Sequence, residues 1–197
     1  MAKQFSLFET PRPSLPKYNV FLAIFPDDRT ARTIIELGSA LRQTLGMHGR
    51  LRPVSHLHVS LLFLGGTMVV PEKIVEVIGR VCQTVAAVTS PFEIKFDQVL
   101  SFRGRPGNHP LVLVGDDQVN TGARNLLGCL NAEFAKHFPW PASAPQFVPH
   151  LTLLYDKQEL APRPVGPVGW TATEMVLVRS EVGATQYDWL GRWAFGG

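Results

Sequence analysis

One tetrapeptide pattern occurs twice in this chain: His58-Val59-Ser60-Leu61 and His150-Leu151-Thr152-Leu153 both read His, any residue, Ser or Thr, then an apolar residue. With 6 histidines in 197 residues, two or more such matches arise in only about one shuffled chain in thirty. Each copy sits in a run with the composition of a strand, residues 57–64 (LHVSLLFL) and 147–155 (FVPHLTLLY). Alternate side chains of a strand share a face. His58 and Ser60 are therefore expected on one face with Val59, Leu61 and Phe63 on the other, and His150 with Thr152 opposite Leu151 and Leu153. If the two copies act together, the fold must bring two strands from distant parts of the chain to one cleft.

The rest of the chain supplies strands and helices to build around that requirement. Residues 18–25 (YNVFLAIF) form an apolar run bounded by Pro16 and by Pro26-Asp27-Asp28, which reads as a buried strand followed by a helix start. Ile34, Leu37, Leu41 and Leu45 recur at helical spacing across 29–45, and Gly46 closes the run. The order repeats after 57–64: Gly65-Gly66 is expected to break the strand, Pro71 to open a helix, and Ile74, Val77, Ile78, Val81 and Val85 to form its apolar face. Residues 92–100 (FEIKFDQVL) and 111–114 (LVLV) predict a hairpin whose loop, 101–110 (SFRGRPGNHP), is rich in Gly, Pro and Arg. A third helix is expected over 119–137 with Leu126, Leu127, Leu130 and Phe134 inward, stopped by Pro139, Pro141 and Pro145. Residues 175–182 and 187–195 read as closing strands separated by Gly183, and the proline-rich segment 161–167 as a low-complexity tract. Strands, hairpins and helices alternate irregularly, so the expected class is α+β. Residues 1–17, polar and proline-bearing, read as a flexible leader to one domain over 18–197.

A chain of this length buries a sizeable core without disulfides or metal. Its 45% hydrophobic and 18% charged residues exclude a disordered or fibrous protein. No apolar run is long enough for a signal peptide or a membrane-spanning helix, and the chain is expected in the cytoplasm as a monomer without an obligate protein partner. Cys82 and Cys129, in helical stretches and without a Cys-x-x-Cys pair, are expected to be reduced core residues. The formal charge of +3 suits a phosphate-bearing ligand but lacks the dense basic face of a dedicated nucleic-acid binder.

Two imidazoles and two hydroxyls suit phosphodiester chemistry. Imidazole titrates near neutrality, so one ring takes a proton from an attacking water while the other gives one to the leaving oxygen. Ser60 and Thr152, with backbone N–H groups, are candidates to hold the non-bridging phosphoryl oxygens. No metal or other cofactor is needed. Against this stands a zinc reading of His56 and His58, which spell His-x-His on one strand face, but no acidic residue or cysteine nearby completes a ligand set, and His56 is expected to be partly exposed. Arg103 and Arg105 on the long loop, and Arg50 and Arg52 before the first motif, are either phosphate clamps or solvated charges. Phe63, Phe102, Tyr155 and Trp189 are candidates to stack a base, with Phe63 and Trp189 favoured as core. His48, His109 and His137 fall in turn or helix-end contexts and read as surface residues.

The paired motifs, in the contexts RPVSHLHVSLLFLG (52–65) and FVPHLTLLYD (147–156), resemble those of the two-histidine (2H) phosphoesterase superfamily, and within it the bacterial RNA 2',3'-cyclic phosphodiesterase or 2'-5' RNA ligase branch. The likeness runs from about residue 18 to 195. It implies a bilobal α+β fold with pseudo-two-fold symmetry, mostly antiparallel strands and outer helices around a central cleft. It also implies metal-independent hydrolysis of a 2',3'-cyclic phosphate, on an RNA end or a nucleotide, to a 2'-phosphomonoester. Carried over, His58 is the proton donor to the 3'-oxygen, His150 the proton acceptor from water, and Ser60 and Thr152 bind phosphate. Ser60 replaces the commoner Thr, and Tyr155 stands where several relatives carry Arg. Ligation through a 2'-5' bond in the same cleft and a non-catalytic RNA-binding module remain as competing readings.

Overall fold

The computed structural model describes residues 16–116, 118–140, 147–184 and 186–196. In chain order the elements are β1 (Tyr18–Ile24), α1 (Asp28–Thr44), a 3₁₀ turn (Val54–His56), β2 (Val59–Thr67), α2 (Glu72–Ala87), β3 (Phe92–Ser101), β4 (His109–Val114), α3 (Thr121–Phe134), β5 (His150–Asp156), β6 (Arg163–Ala172), β7 (Glu174–Glu181) and β8 (Tyr187–Ala194). The strands form one sheet in the order β6-β3-β4-β5-β2-β1-β7-β8, and each of its pairings is antiparallel. The α+β class and its antiparallel character are as the sequence implies.

The sheet divides at its middle into two related halves. In one, β1-α1-β2 supplies the central strand pair and β7 and β8 extend it; in the other, β4-α3-β5 does so and β3 and β6 extend it. The two motif strands, β2 and β5, are the innermost, and Val59 pairs with Leu151 across the junction. The alternation along β1 shows how the two faces differ. Val20, Leu22 and Ile24 enter a core shared with Ala31 and Ile34 of α1, Ile78 and Val81 of α2, and Leu126 and Leu130 of α3, whereas Phe21 and Ala23 join Val176 and Val178 in a separate small cluster without helical members. The helices thus cover one face and leave the other for the site.

Local chemistry accounts for the element boundaries. Asp27 caps α1, its carboxylate accepting the Thr30 N–H at 2.8 Å and the Thr30 hydroxyl at 2.9 Å. Gly46, at φ 64°, follows the end of that helix in the left-handed conformation. The third helix is shorter than its apolar pattern suggests, ending at Phe134 before Pro139; Pro141 and Pro145 lie outside the described residues.

Several expectations are corrected. The strand β2 runs through Gly65-Gly66 to Thr67, because those glycines stay paired with Val20 and Asn19 of β1. The proline-rich segment 161–167, read as low-complexity, is from Arg163 onward part of β6, whose Pro164 and Pro167 are tolerated because β6 is an edge strand with one side unpaired. Most of the expected leader, residues 1–15, lies outside the described residues; Lys17, just before β1, accepts the Val182 N–H at its carbonyl at 2.8 Å. Cys82 is buried as expected, while Cys129 is exposed because it falls off the Leu126-Leu127-Leu130 face of α3. His109 is the first residue of β4, its side chain only 12% exposed and facing Glu159 at 3.4 Å. His48 and His137 are at the surface.

Candidate active site

Both motif strands carry the same irregularity at the same place. Between β1 and β2 the pairing steps from Ala23–Ser60 to Leu22–Leu62, leaving Leu61 over; between β4 and β5 it steps from Val112–Thr152 to Leu111–Leu154, leaving Leu153 over. A bulge of this kind lets two successive residues point the same way, and in both strands two successive leucines face the core: Leu61 with Leu62, and Leu153 with Leu154. The alternation resumes one residue out of step. Phe63 and Tyr155 therefore lie on the cleft face with the motif hydroxyls, not opposite them as strict alternation predicts for Phe63. Phe63 packs half-buried against the Phe21-Ala23 cluster, and Tyr155 is 43% exposed.

The two histidines begin their strands. His58 immediately precedes β2 and His150 is the first residue of β5. Val59 pairs with Leu151, so the residues that flank them, His58 and Ser60 on one strand and His150 and Thr152 on the other, come together across the junction, and all four are partly accessible.

The rings are held alike. His58 Nδ1 donates to the His56 carbonyl at 2.8 Å and His150 Nδ1 donates to the Val148 carbonyl at 2.8 Å. A carbonyl only accepts, so in both rings the hydrogen of the neutral form sits on Nδ1 and the lone pair on Nε2. His58 Nε2 accepts the Ser60 hydroxyl at 2.9 Å. Among the described residues no group bonds Nε2 of His150.

Aromatic side chains wall the site. Phe21, Tyr187 and Phe25 lie 5.2, 5.6 and 5.8 Å from the His58 ring, and Phe102 lies 4.8 Å from His150. Trp189, expected in the core, is 46% exposed and 5.1 Å from Phe25. Its strand, β8, is an edge strand, so its cleft face has no neighbour on one side.

His56 also departs from expectation. It ends the 3₁₀ turn before β2, is only 3% exposed, and stacks on Tyr187 at 3.9 Å and 11° while its Nδ1 accepts from Arg52 at 2.6 Å. The His-x-His pair therefore does not lie on one strand face, and among the described residues no group of three His, Cys, Asp or Glu side chains is placed to hold a metal. Of the candidate arginines, Arg52 enters the site, hydrogen-bonding His56 at 2.6 Å. Arg50, Arg103 and Arg105 are exposed, the last two on the loop that begins at Phe102. Phe21, Phe25 and Tyr187 carry no local signal of a site role, since each reads as an ordinary strand or strand-end aromatic.

Burial chiefly sets the electrostatics. It pushes the His58 imidazole down to about 4, with the positive charge of Arg52 and the neighbouring His150 and His56 adding to the shift. Burial also lowers His150, against the opposing pull of the Val148 carbonyl. The site is thus neutral at both imidazoles near pH 7, with the Arg52 guanidinium beside them. Among the described residues no carboxylate pairs with Arg52.

Comparison with known proteins follows the same geometry. The sequence matches the family model of the 2'-5' RNA ligase superfamily over residues 26–184. Among solved structures the chain is similar to TT0787 of Thermus thermophilus, at 23% identity and a TM-score of 0.71, covering 91% of this chain and 98% of that one. It is similar to apo E. coli LigT, at 25% identity and a TM-score of 0.69, covering 92% and 98%. The same LigT complexed with 3'-AMP aligns at 24% identity and a TM-score of 0.64, covering 92% and 99%. No curated protein sequence matches the chain significantly.

Proposed function

This chain belongs to the 2'-5' RNA ligase superfamily, and on that premise we propose that it hydrolyses 2',3'-cyclic phosphates, on RNA ends or nucleotides, to 2'-phosphomonoesters without a metal. The observation that carries this reading is the pairing of Val59 with Leu151, which brings the two motif strands, and with them His58 and His150, side by side. His150 Nε2 takes a proton from water as its oxygen attacks phosphorus. The bond from phosphorus to the ribose 3'-oxygen breaks, and His58 Nε2 donates the proton that the oxygen needs. The Ser60 and Thr152 hydroxyls, each two residues beyond its motif's imidazole, hold the non-bridging oxygens.

Arg52 supports an anionic substrate, because it donates to the uncharged Nδ1 of His56 and its charge stays available to a phosphoryl group nearby. The bound anion favours the imidazolium of His58, which converts a ring that is neutral in the empty site into an acid. Arg103, Arg105 and Tyr155, all exposed, are the proposed contacts for the rest of the substrate. E. coli LigT, solved in complex with 3'-AMP, supports a ribonucleotide as the kind of ligand.

The test is hydrolysis of a nucleoside 2',3'-cyclic phosphate in excess chelator. Release of the 2'-phosphate is expected; turnover that vanishes with chelator and returns with a divalent metal would refute the mechanism. Ligation uses the same groups with a 5'-hydroxyl in place of water, and adding a 5'-hydroxyl oligoribonucleotide to the same assay reveals it as a 2'-5' linked product.

A further inference from the structure

In-line displacement puts the attacking water and the leaving oxygen on opposite sides of phosphorus. The leaving oxygen belongs to the ribose, so the group that protonates it must touch the sugar. With His58 in that role, the nucleoside extends on the His58 side of the site and the water enters beside His150.

On the His58 side lies a cavity of about 350 Å³ lined by Ser55, His56, Gln186, Tyr187 and Trp189. Tyr187, in its wall, is in edge contact with His58 at 5.6 Å, and Trp189 connects to His58 through Phe25, at 5.1 and 5.8 Å. Tyr187 and Trp189 are two residues apart on β8 and so stand on the same face of the sheet. Their surroundings differ. Tyr187 is covered by His56 and Phe21, whereas Trp189 is 46% exposed, an unusual state for the largest apolar side chain.

The exposed indole is nevertheless held in place. The Arg192 guanidinium lies 4.8 Å from its ring, and Glu174 grips that guanidinium with hydrogen bonds of 2.6 and 3.1 Å. Ser55 and Gln186 add hydrogen-bonding groups to the cavity lining. A fixed, accessible aromatic surface with polar groups beside it suits a flat aromatic ring with polar edges.

We infer that this cavity binds the nucleobase of the substrate's terminal nucleoside, stacked on Trp189. The inference rests on the acid-base assignment proposed above, and its test separates the two. Adenosine 2',3'-cyclic phosphate and the base-free methyl riboside 2',3'-cyclic phosphate are compared in wild type, Trp189→Ala and Trp189→Phe. The preference for the base-bearing substrate, as a ratio of kcat/KM values, is expected to fall about 5- to 100-fold in Trp189→Ala and to be largely kept in Trp189→Phe. An unchanged ratio in Trp189→Ala overturns the inference; because a ratio cancels any general loss of active protein, partial misfolding does not imitate either result. If wild type turns over neither compound, the phosphodiesterase reading falls and binding decides the base site. Quenching of indole fluorescence by adenosine 2'-monophosphate, absent with ribose phosphate and lost in Trp189→Phe, then supports it, and no quenching overturns it.

Discussion

The two catalytic candidates stand in unequal fields. His58 is lowered by burial, by Arg52 and by the other two histidines, His150 by burial alone. Both are neutral in the empty cleft near pH 7, and a bound phosphoryl anion reverses the balance by favouring their charged forms. The limbs of the pH profile of kcat/KM report the free enzyme and those of kcat the complex, so the kcat bell is expected at higher pH than the kcat/KM bell; coincident bells would contradict the account. Replacing His58 or His150 by Ala is expected to lower kcat on the order of 10²-fold or more, with Ser60→Ala milder because Thr152 and backbone donors remain. Arg52→Gln removes a cation from beside His58, so an NMR titration is expected to show its pKa rise, while inorganic phosphate binds more weakly. Of these residues the histidines and hydroxyls are legible in the sequence because a repeated pattern marks them. Arg52 is legible only as one arginine among several, since nothing local tells an inward guanidinium from a solvated one.

At the scale of elements, the paired bulges after Ser60 and Thr152 decide which side chains reach the cleft, and they are where simple alternation fails. Strand periodicity correctly puts His58 with Ser60 and Val59 with Leu61, but Leu61-Leu62 and Leu153-Leu154 both turn to the core. A bulge is set by the partner strand's register, which sequence periodicity does not contain. The same holds for β6, whose prolines hide a strand until its edge position is known. Beyond the second motif, Asp156 ties β5 to the segment that follows α1: its carboxylate accepts the N–H groups of His48 and Gly49, each at 2.7 Å, and that of Gln158 at 3.0 Å. Gly49 is required there, since a Cβ would run into the Tyr155 carbonyl. Asp156→Ala strands these donors and is expected to cost about 1–3 kcal/mol in a denaturant titration, with Asp156→Asn losing less because its amide oxygen still accepts.

For the whole molecule, the depressed histidines link folding to pH. Between the imidazole's ordinary value of 6.5 and about 4, the unfolded chain protonates His58 while the folded chain does not, so stability is full above that window and falls as pH drops through it. A shift of this size corresponds to roughly 3 kcal/mol at the acid end. Chemical denaturation at pH 7 and pH 4.5 is expected to show the decline, and His58→Asn to flatten it; an equal decline in that variant would assign the effect elsewhere. The amino-acid sequence by itself determined the residue types that carry the chemistry, the helices and most strands, and the α+β class, because each is written in local spacing. Only the tertiary structure decided that β2 and β5 meet at Val59 and Leu151, that β8 from the far end of the chain returns to bring Tyr187 beside His58 and Trp189 beside Phe25, and that Arg52 turns inward. Those outcomes depend on register and packing between segments far apart along the chain, and no local pattern records which partner a strand will find.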